Sequence, residues 1–285
     1  MTIAVTFLPR TGPAPLPPVA FIGGGNMASA IIGGLIQQGT PADAFEVVEP
    51  FDEARAKLAQ SFGIVAKAEA SEALSRCGVV VWAVKPQTFA EAARPVRAFA
   101  ADALHLSVAA GIPSDSIARW LGTERVVRAM PNTPALVGKG MTGLFARPGV
   151  ESADRSTVGQ LLAPTGELLW VDTEPALDAV TAMSGSGPAY VFYFIEAMAE
   201  AGTEMGLTSE QALRLAIGTF TGASALAHSA TEPPSVLRER VTSKGGTTYA
   251  AITSMQAADV KSQFKTAIRA AQKRAAELGE EFGRG

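Results

Sequence analysis

VAFIGGGNMA, residues 19–28, breaks an apolar run into three glycines and then into residues that suit a helix. A strand ending in G-x-G-x-x-A, here Gly23, Gly25 and Ala28, turns tightly and lets a diphosphate approach bare backbone. The same turn aims the N-terminus of the next helix at that anion. Glycines after a strand also build ordinary turns, so the flanking residues decide the matter. Met27, Ala30, Ile31, Leu35 and Ile36 follow at helical spacing, Gly33 and Gly34 permit close packing on a sheet, and Gly39 stops the helix. A second apolar strand, 45–48, runs into Glu49, about 20 residues beyond the glycines, where an acid binds adenosine ribose hydroxyls. Strand, turn, helix and acid together predict a dinucleotide site; the competing reading makes Glu49 an ordinary surface acid.

The alternation continues outward from this unit. Strands predicted at 19–23, 45–49, 78–84, 104–108, 126–130, 141–146 and 167–171 are separated by helical segments, the pattern of a parallel sheet with helices on both faces. The later strands follow shorter connections, so the sheet is expected to be mixed at that end. Ligands of such sheets lie beyond the carboxyl ends of the strands, which singles out 83–87 and 130–134. After Asp172 strand signals cease, and helices are predicted at 177–183, 188–205, 209–228, 234–242 and 259–282. The expected fold class is α/β: an N-terminal Rossmann-type dinucleotide-binding domain, 19–172, then an all-helical dimerisation and substrate domain, 173–285. Residues 1–18, with five prolines among 9–18, read as a flexible tail without the basic start or cleavage site of a signal peptide.

Tyr190, Val191, Phe192, Phe194, Ile195 and Met198 make one helix apolar nearly all round, more than a helical region this small can hide alone. A homodimer is expected, the alternative being that these helices pack on the first domain. Lys and Arg number 24 against 27 Asp and Glu, so no basic stripe is available for nucleic acid. The longest apolar run, 188–195, ends at Glu196 and falls short of the roughly 20 residues that span a bilayer, so no membrane partner is expected. The single cysteine, Cys77, excludes an internal disulfide, fits a reducing, cytoplasmic location, and reads as a small apolar residue beside a strand.

Of two histidines, His105 falls within a buried strand and His228 at a helix end, neither beside carboxylates at metal-ligand spacing. No metal site is expected. Oxidising an alcohol calls for a base, whereas His105 reads as a satisfied strand residue and His228 as a solvated helix-end cation. Hydride addition to a C=N bond demands less, because a protonated imine is already electrophilic and needs only to be oriented against a nicotinamide. SGSGP at 184–188 and TSKGGTT at 242–248 are polar, glycine-bearing loops at helix starts, where free N–H groups favour an anion such as a carboxylate. Capping by Ser186 and Thr247, with Pro188 in the first turn, accounts for part of this composition.

FIGGGNMASA, VWAVKP, MPNTPALVGKGMTGL, MSGSGPAYVFYFIEAM and VTSKGGTTYAAI, in that order between 19 and about 278, resemble the pyrroline-5-carboxylate reductase family, which makes L-proline from 1-pyrroline-5-carboxylate. The resemblance implies that Gly23, Gly25, Asn26 and Met27 hold the diphosphate of NADP or NAD and that Ala83, Val84, Lys85 and Pro86 line the dinucleotide. It puts Asn132 and Thr133 near the nicotinamide and makes Ser243, Lys244, Gly245, Gly246, Thr247 and Thr248 the loop for the small-molecule substrate. Thr248 would be the catalytic residue, bonding the ring nitrogen and able to supply its proton, while nearby amides bind the carboxylate. The family builds this site at a homodimer interface, and its dimers often assemble into decamers.

Two departures stand out. Lys244 replaces the proline usual after the loop serine, a cation that either strengthens anion binding or faces solvent. Glu49-Pro50-Phe51 stands where many relatives carry a basic residue for the 2′-phosphate of NADPH, with Arg55 a helical turn further on, leaving NADH and NADPH both open. A β-hydroxyacid dehydrogenase would need a lysine where Val191 stands, and a non-catalytic dinucleotide-binding protein would have no use for the hydroxyl-rich loop.

Overall fold

The computed structural model describes residues 16–283. The described residues divide into two compact units, 16–172 with 282–283, and 173–281.

In the first unit the chain runs β1 (Val19–Ile22), α1 (Asn26–Gln37), β2 (Phe45–Val48), α2 (Asp52–Phe62), β3 (Val79–Trp82), α3 (Phe89–Ala100), β4 (Leu104–Ser107), α4 (Ser114–Leu121), β5 (Val126–Met130), β6 (Gly140–Ala146), α5 (Ser152–Leu162) and β7 (Gly166–Trp170). The seven strands form one sheet in the order β2-β1-β3-β4-β5-β6-β7. Pairing is parallel except between β5 and β6, so the sheet is mixed at the expected end. Short apolar strands buried on both faces dictate this layering. Val19 and Phe21 face a cluster with Ile31, Ile32 and Leu35 of α1 and Leu161 of α5, whereas Ala20 and Ile22 face Phe89 and Val96 of α3 and Ile117 of α4. The period of two along each strand thus feeds two cores at once.

Local sequence sets the helix ends. Asp52 and Glu53 occupy the first turn of α2, where carboxylates suit the helix dipole, and Gly63 closes the helix at φ +70°. Gly122 ends α4 in the same left-handed conformation. At the chain's start, the expectation of a tail reaching residue 18 does not hold for its last three residues. Leu16 packs on the core, and Pro18 O accepts a hydrogen bond from Gly78 N at 3.0 Å, because apolar residues just before a central strand have a core edge to cover. Residues 1–15, the rest of that expected tail, lie outside the described residues.

The second unit contains α6 (Ala176–Val180), a π-helical turn (Thr181–Gly185), α7 (Gly187–Glu204), α8 (Ser209–Ser229), α9 (Pro234–Arg240), α10 (Thr247–Ala257) and most of α11 (Val260–Gly283). Gly202 lets α7 approach α8 closely: a Cβ there would lie 2.8 Å from that of Ala212. Thr208 and Gln211 cap α8 reciprocally, Gln211 N donating to Thr208 Oγ1 at 3.2 Å and Thr208 N to Gln211 Oε1 at 3.0 Å. Tyr190 and Phe194 of α7 meet Phe264 of α11 edge to face. Even so, Val191, Phe192, Tyr193, Met205, Leu215 and Leu226 remain exposed. A helical unit with so much bare apolar surface is built for a partner.

Candidate dinucleotide and substrate site

The carboxyl ends of β1, β2 and β3 are tied together by backbone. Gly23 N donates to Val48 O at 2.8 Å, and Ala83 N donates to Ile22 O at 2.8 Å. Gly23 adopts φ +94°, and a Cβ there would lie 2.5 Å from Ala83 O, so only glycine passes this crossing. Gly25, by contrast, faces open space, with nothing within 4 Å of where its Cβ would be. It precedes α1, which has no side-chain cap and no acid in its first turn. The leading amides of Asn26 and Met27 are therefore left for an outside acceptor, with the positive end of the helix dipole behind them. This cradle, bare of side chains and aimed at an anion, fits a dinucleotide diphosphate.

Glu49 closes one side. Its Oε2 accepts from Gly24 N at 2.7 Å and its Oε1 from Phe51 N at 3.0 Å. At 6% exposure it is not an ordinary surface acid. Arg55 folds back over the same turn, Nη1 donating to Glu49 O at 2.9 Å and to Pro50 O at 2.7 Å, while Nη2 pairs with the Asp52 carboxylate. Asp52 was missed from sequence; its signal was the i, i+3 spacing to Arg55 on α2.

The remaining cofactor candidates of this unit sit on the same edge. Ala83 and Val84 are half-buried beyond β3, and Lys85 is exposed ahead of the short turn Pro86–Thr88, whose Thr88 Oγ1 donates to Lys85 O at 3.1 Å. Asn132 follows β5, its Oδ1 accepting from Met141 N at 2.9 Å. Thr133 opens a turn, Thr133–Val137, that packs against α1. The fold thus brings Gly23, Gly25, Asn26, Met27, Glu49, Ala83, Val84, Lys85, Pro86, Asn132 and Thr133 to one rim of the sheet, at the reversal of strand order between β1 and β3 where such folds bind ligands.

In the helical unit the two polar segments part ways. Residues 184–188 are not an open loop: the π-helical turn carries the chain into α7, and Ser186 N donates to Thr181 O at 2.8 Å. Their composition suggested a cap, and Ser186 does take the N-cap position of α7, but in a right-handed backbone conformation and with no side-chain cap bond. Residues 242–246 do form a turn, with Gly246 N donating to Ser243 O at 3.0 Å and Gly245 at φ +77°. α10 then begins at Thr247 behind Gly246, again with no side-chain cap and no acid in its first turn. Thr247 is the first helical residue rather than the cap, because the glycine before it takes that position. Ser243, Lys244, Gly245 and Thr247 are exposed, and Gly246 and Thr248 half-buried.

Elsewhere, His105 is a satisfied strand residue. Trp82 Nε1 donates to its Nδ1 at 3.0 Å and its Nε2 bonds Ala100 O at 3.0 Å; burial pushes its pKa down from 6.5 to about 4. His228 lies exposed in the last turn of α8. Cys77 is buried, and desolvation, then Glu46, raises its thiol to about 11, far from a reactive thiolate. Among the described residues no group of three or more His, Cys, Asp or Glu could hold a metal ion, and no helix is long and apolar enough to cross a membrane.

Two family models match the chain: pyrroline-5-carboxylate reductase dimerisation over residues 174–278, and NADP oxidoreductase, coenzyme F420-dependent, over 18–111. The pyrroline-5-carboxylate reductase of Pseudomonas aeruginosa is 46% identical over 269 residues, covering 94% of this chain and 98% of the relative. The chain belongs to the pyrroline-5-carboxylate reductase family. A solved pyrroline-5-carboxylate reductase from Coxiella burnetii superposes with a TM-score of 0.87 at 34% identity, over 93% of this chain and 99% of that one. The Plasmodium falciparum pyrroline carboxylate reductase, solved with NADP bound, gives a TM-score of 0.82 at 26% identity, over 92% and 98% of the two chains. The α/β fold class and the resemblance drawn from the motifs are thereby borne out, and the bare helical unit is the family's dimerisation module.

Proposed function

We propose that this chain reduces 1-pyrroline-5-carboxylate to L-proline, the last step of proline biosynthesis, using NADH or NADPH as hydride donor. The observation that carries the reading is the open N-terminus of α10 behind the 242–246 turn, in a chain whose sheet also presents an uncapped glycine cradle. When bound, the reduced nicotinamide supplies the hydride that adds to the imine carbon. Gly23, Gly25, Asn26 and Met27 hold the diphosphate, Glu49 the ribose, and Ala83 to Pro86 with Asn132 and Thr133 line the rest. The amides leading α10, with Ser243, Gly245, Gly246 and Thr247, grip the substrate carboxylate, and Lys244 adds a cation to that subsite. The Thr248 hydroxyl bonds the ring nitrogen, orients the C=N face and carries the proton that nitrogen needs.

The unit from 19 to 172 binds the dinucleotide and that from 173 to 285 the substrate and the second subunit. The assembly is a homodimer, its dimers able to build decamers, in the cytoplasm. Nucleic acid and membrane are not assigned as partners, given the near balance of 24 basic and 27 acidic residues.

Purified protein incubated with the imine and either reduced nucleotide should oxidise the nucleotide and yield proline; neither event occurring would reject the reading. Thr248→Ala should lower kcat by about a hundredfold with the nucleotide Kd unchanged. An unaltered kcat would remove Thr248 from the mechanism.

A further inference from the structure

The turn between β2 and α2 bears on which nucleotide is used. From Glu49 to Arg55 the chain places three carboxylates, Glu49, Asp52 and Glu53, against one cation, Arg55. Glu49 is fixed against the glycine turn by Gly24 N and Phe51 N, so its carboxylate cannot swing away from an incoming anion. Arg55, the cation closest along the chain, is held on three sides by Glu49 O, Pro50 O and the Asp52 carboxylate. Asp52 and Glu53 also fill the first turn of α2 and cancel the dipole that would otherwise favour a phosphate there. Resting on the dinucleotide reading above, we propose that Asp52 is a specificity-determining residue: by occupying Arg55 it denies the 2′-phosphate of NADPH a counter-charge and makes this chain prefer NADH.

The chemistry is one of charge. NADH and NADPH differ at this end only by that phosphate, and a ribose 2′-hydroxyl can donate to a carboxylate where a phosphate cannot. The Asp52 side chain is 89% exposed and that of Arg55 24%, so replacing Asp52 frees Arg55 Nη2 without disturbing the core, while Nη1 stays on the Glu49 and Pro50 carbonyls. An exposed ion pair is worth little to folding, and its loss should leave stability unchanged.

The test is equilibrium binding of each reduced nucleotide, followed by nicotinamide fluorescence, alongside kinetics with the imine. Wild type should bind NADH at least about fivefold more tightly than NADPH, and Asp52→Asn should tighten NADPH about fivefold while moving NADH less than twofold. The gain should fade in high salt, since screening acts on exposed charges, and vanish in Asp52→Asn/Arg55→Ala. Equal or tighter binding of NADPH by wild type overturns the proposal, as does a parallel shift for both nucleotides in Asp52→Asn. A gain that survives in the double variant also overturns it, reassigning the counter-charge to the exposed Lys67, whose backbone pairs beside Glu49. These outcomes are separable from failure of the reductase reading, in which a bound nucleotide would go unoxidised by the imine.

Discussion

His105 shows how one side chain can be locked into a single charge state. Trp82 Nε1–H points at Nδ1, so a proton added there would set donor against donor inside a core where Trp82 is fully buried. With its pKa lowered to about 4 in the fold and 6.5 expected when unfolded, the residue takes up a proton on unfolding anywhere between those values. Its contribution is complete above about pH 6.5 and is lost as the pH falls toward about 4, a change of about 3 kcal/mol. Unfolding free energies from urea titrations at pH 7 and pH 4.5 should differ by about 2 kcal/mol less in His105→Gln than in wild type; equal differences would mean that His105 does not govern acid stability. The strand position of His105 was legible from its apolar neighbours. Its partner was not, because a contact between strands 23 residues apart leaves no periodic trace. The same holds for Asp52 and Arg55, where the spacing was visible but the backbone carbonyls that anchor the guanidinium were not.

At the scale of elements, the strand–turn–helix of β1 and α1 separates two roles that glycine plays within three residues. Gly23 is required by the crossing with Ala83, whereas Gly25 has nothing within 4 Å of where its Cβ would be and leaves room for the diphosphate proposed to lie there. Gly23→Ala should cost about 2 kcal/mol of stability and weaken nucleotide binding more than tenfold. Gly25→Ala, at an ordinary φ of −72°, should leave the melting temperature alone while binding falls by a similar factor. Calorimetry and fluorescence titration on the two variants test the pair, and a stability loss in Gly25→Ala as large as in Gly23→Ala would show the distinction to be wrong. All seven strands could be read from the sequence, β1, β3 and β4 most directly, since buried parallel strands are short apolar runs that carry their own signal. Of α10 only the start, after the 242–248 segment, was legible and not its extent, because its residues, TTYAAITSMQA, have no buried face to set a period. Residues 184–188 misled for a related reason: serine and glycine that suit an open loop also suit a π-helical turn, and only the backbone bonds tell these apart.

For the whole molecule, the exposed apolar residues of α7 and α8 are the surface expected to carry the dimer. Phe192 is 58% exposed and Tyr193 69%, with Leu215 and Leu226 similarly bare. Replacing Phe192 and Tyr193 by lysine should dissociate the homodimer at micromolar concentration and abolish turnover, because a desolvated cation in an apolar interface costs several kcal/mol. Sedimentation velocity reads this directly, and a variant that keeps the wild-type sedimentation coefficient would locate the interface elsewhere.

The end of α11 has a consequence for anyone dissecting the chain. Phe282 packs among the side chains of the core that includes Ile117, and Gly283 O accepts from Ser116 Oγ at 2.9 Å, so the first unit is completed by residues that arrive only after the helical one has been traversed. Severing the polypeptide at 172 would give a nucleotide-binding piece with an unfilled notch beside α4, and supplying the last turn of α11 as a separate peptide is the way to mend it.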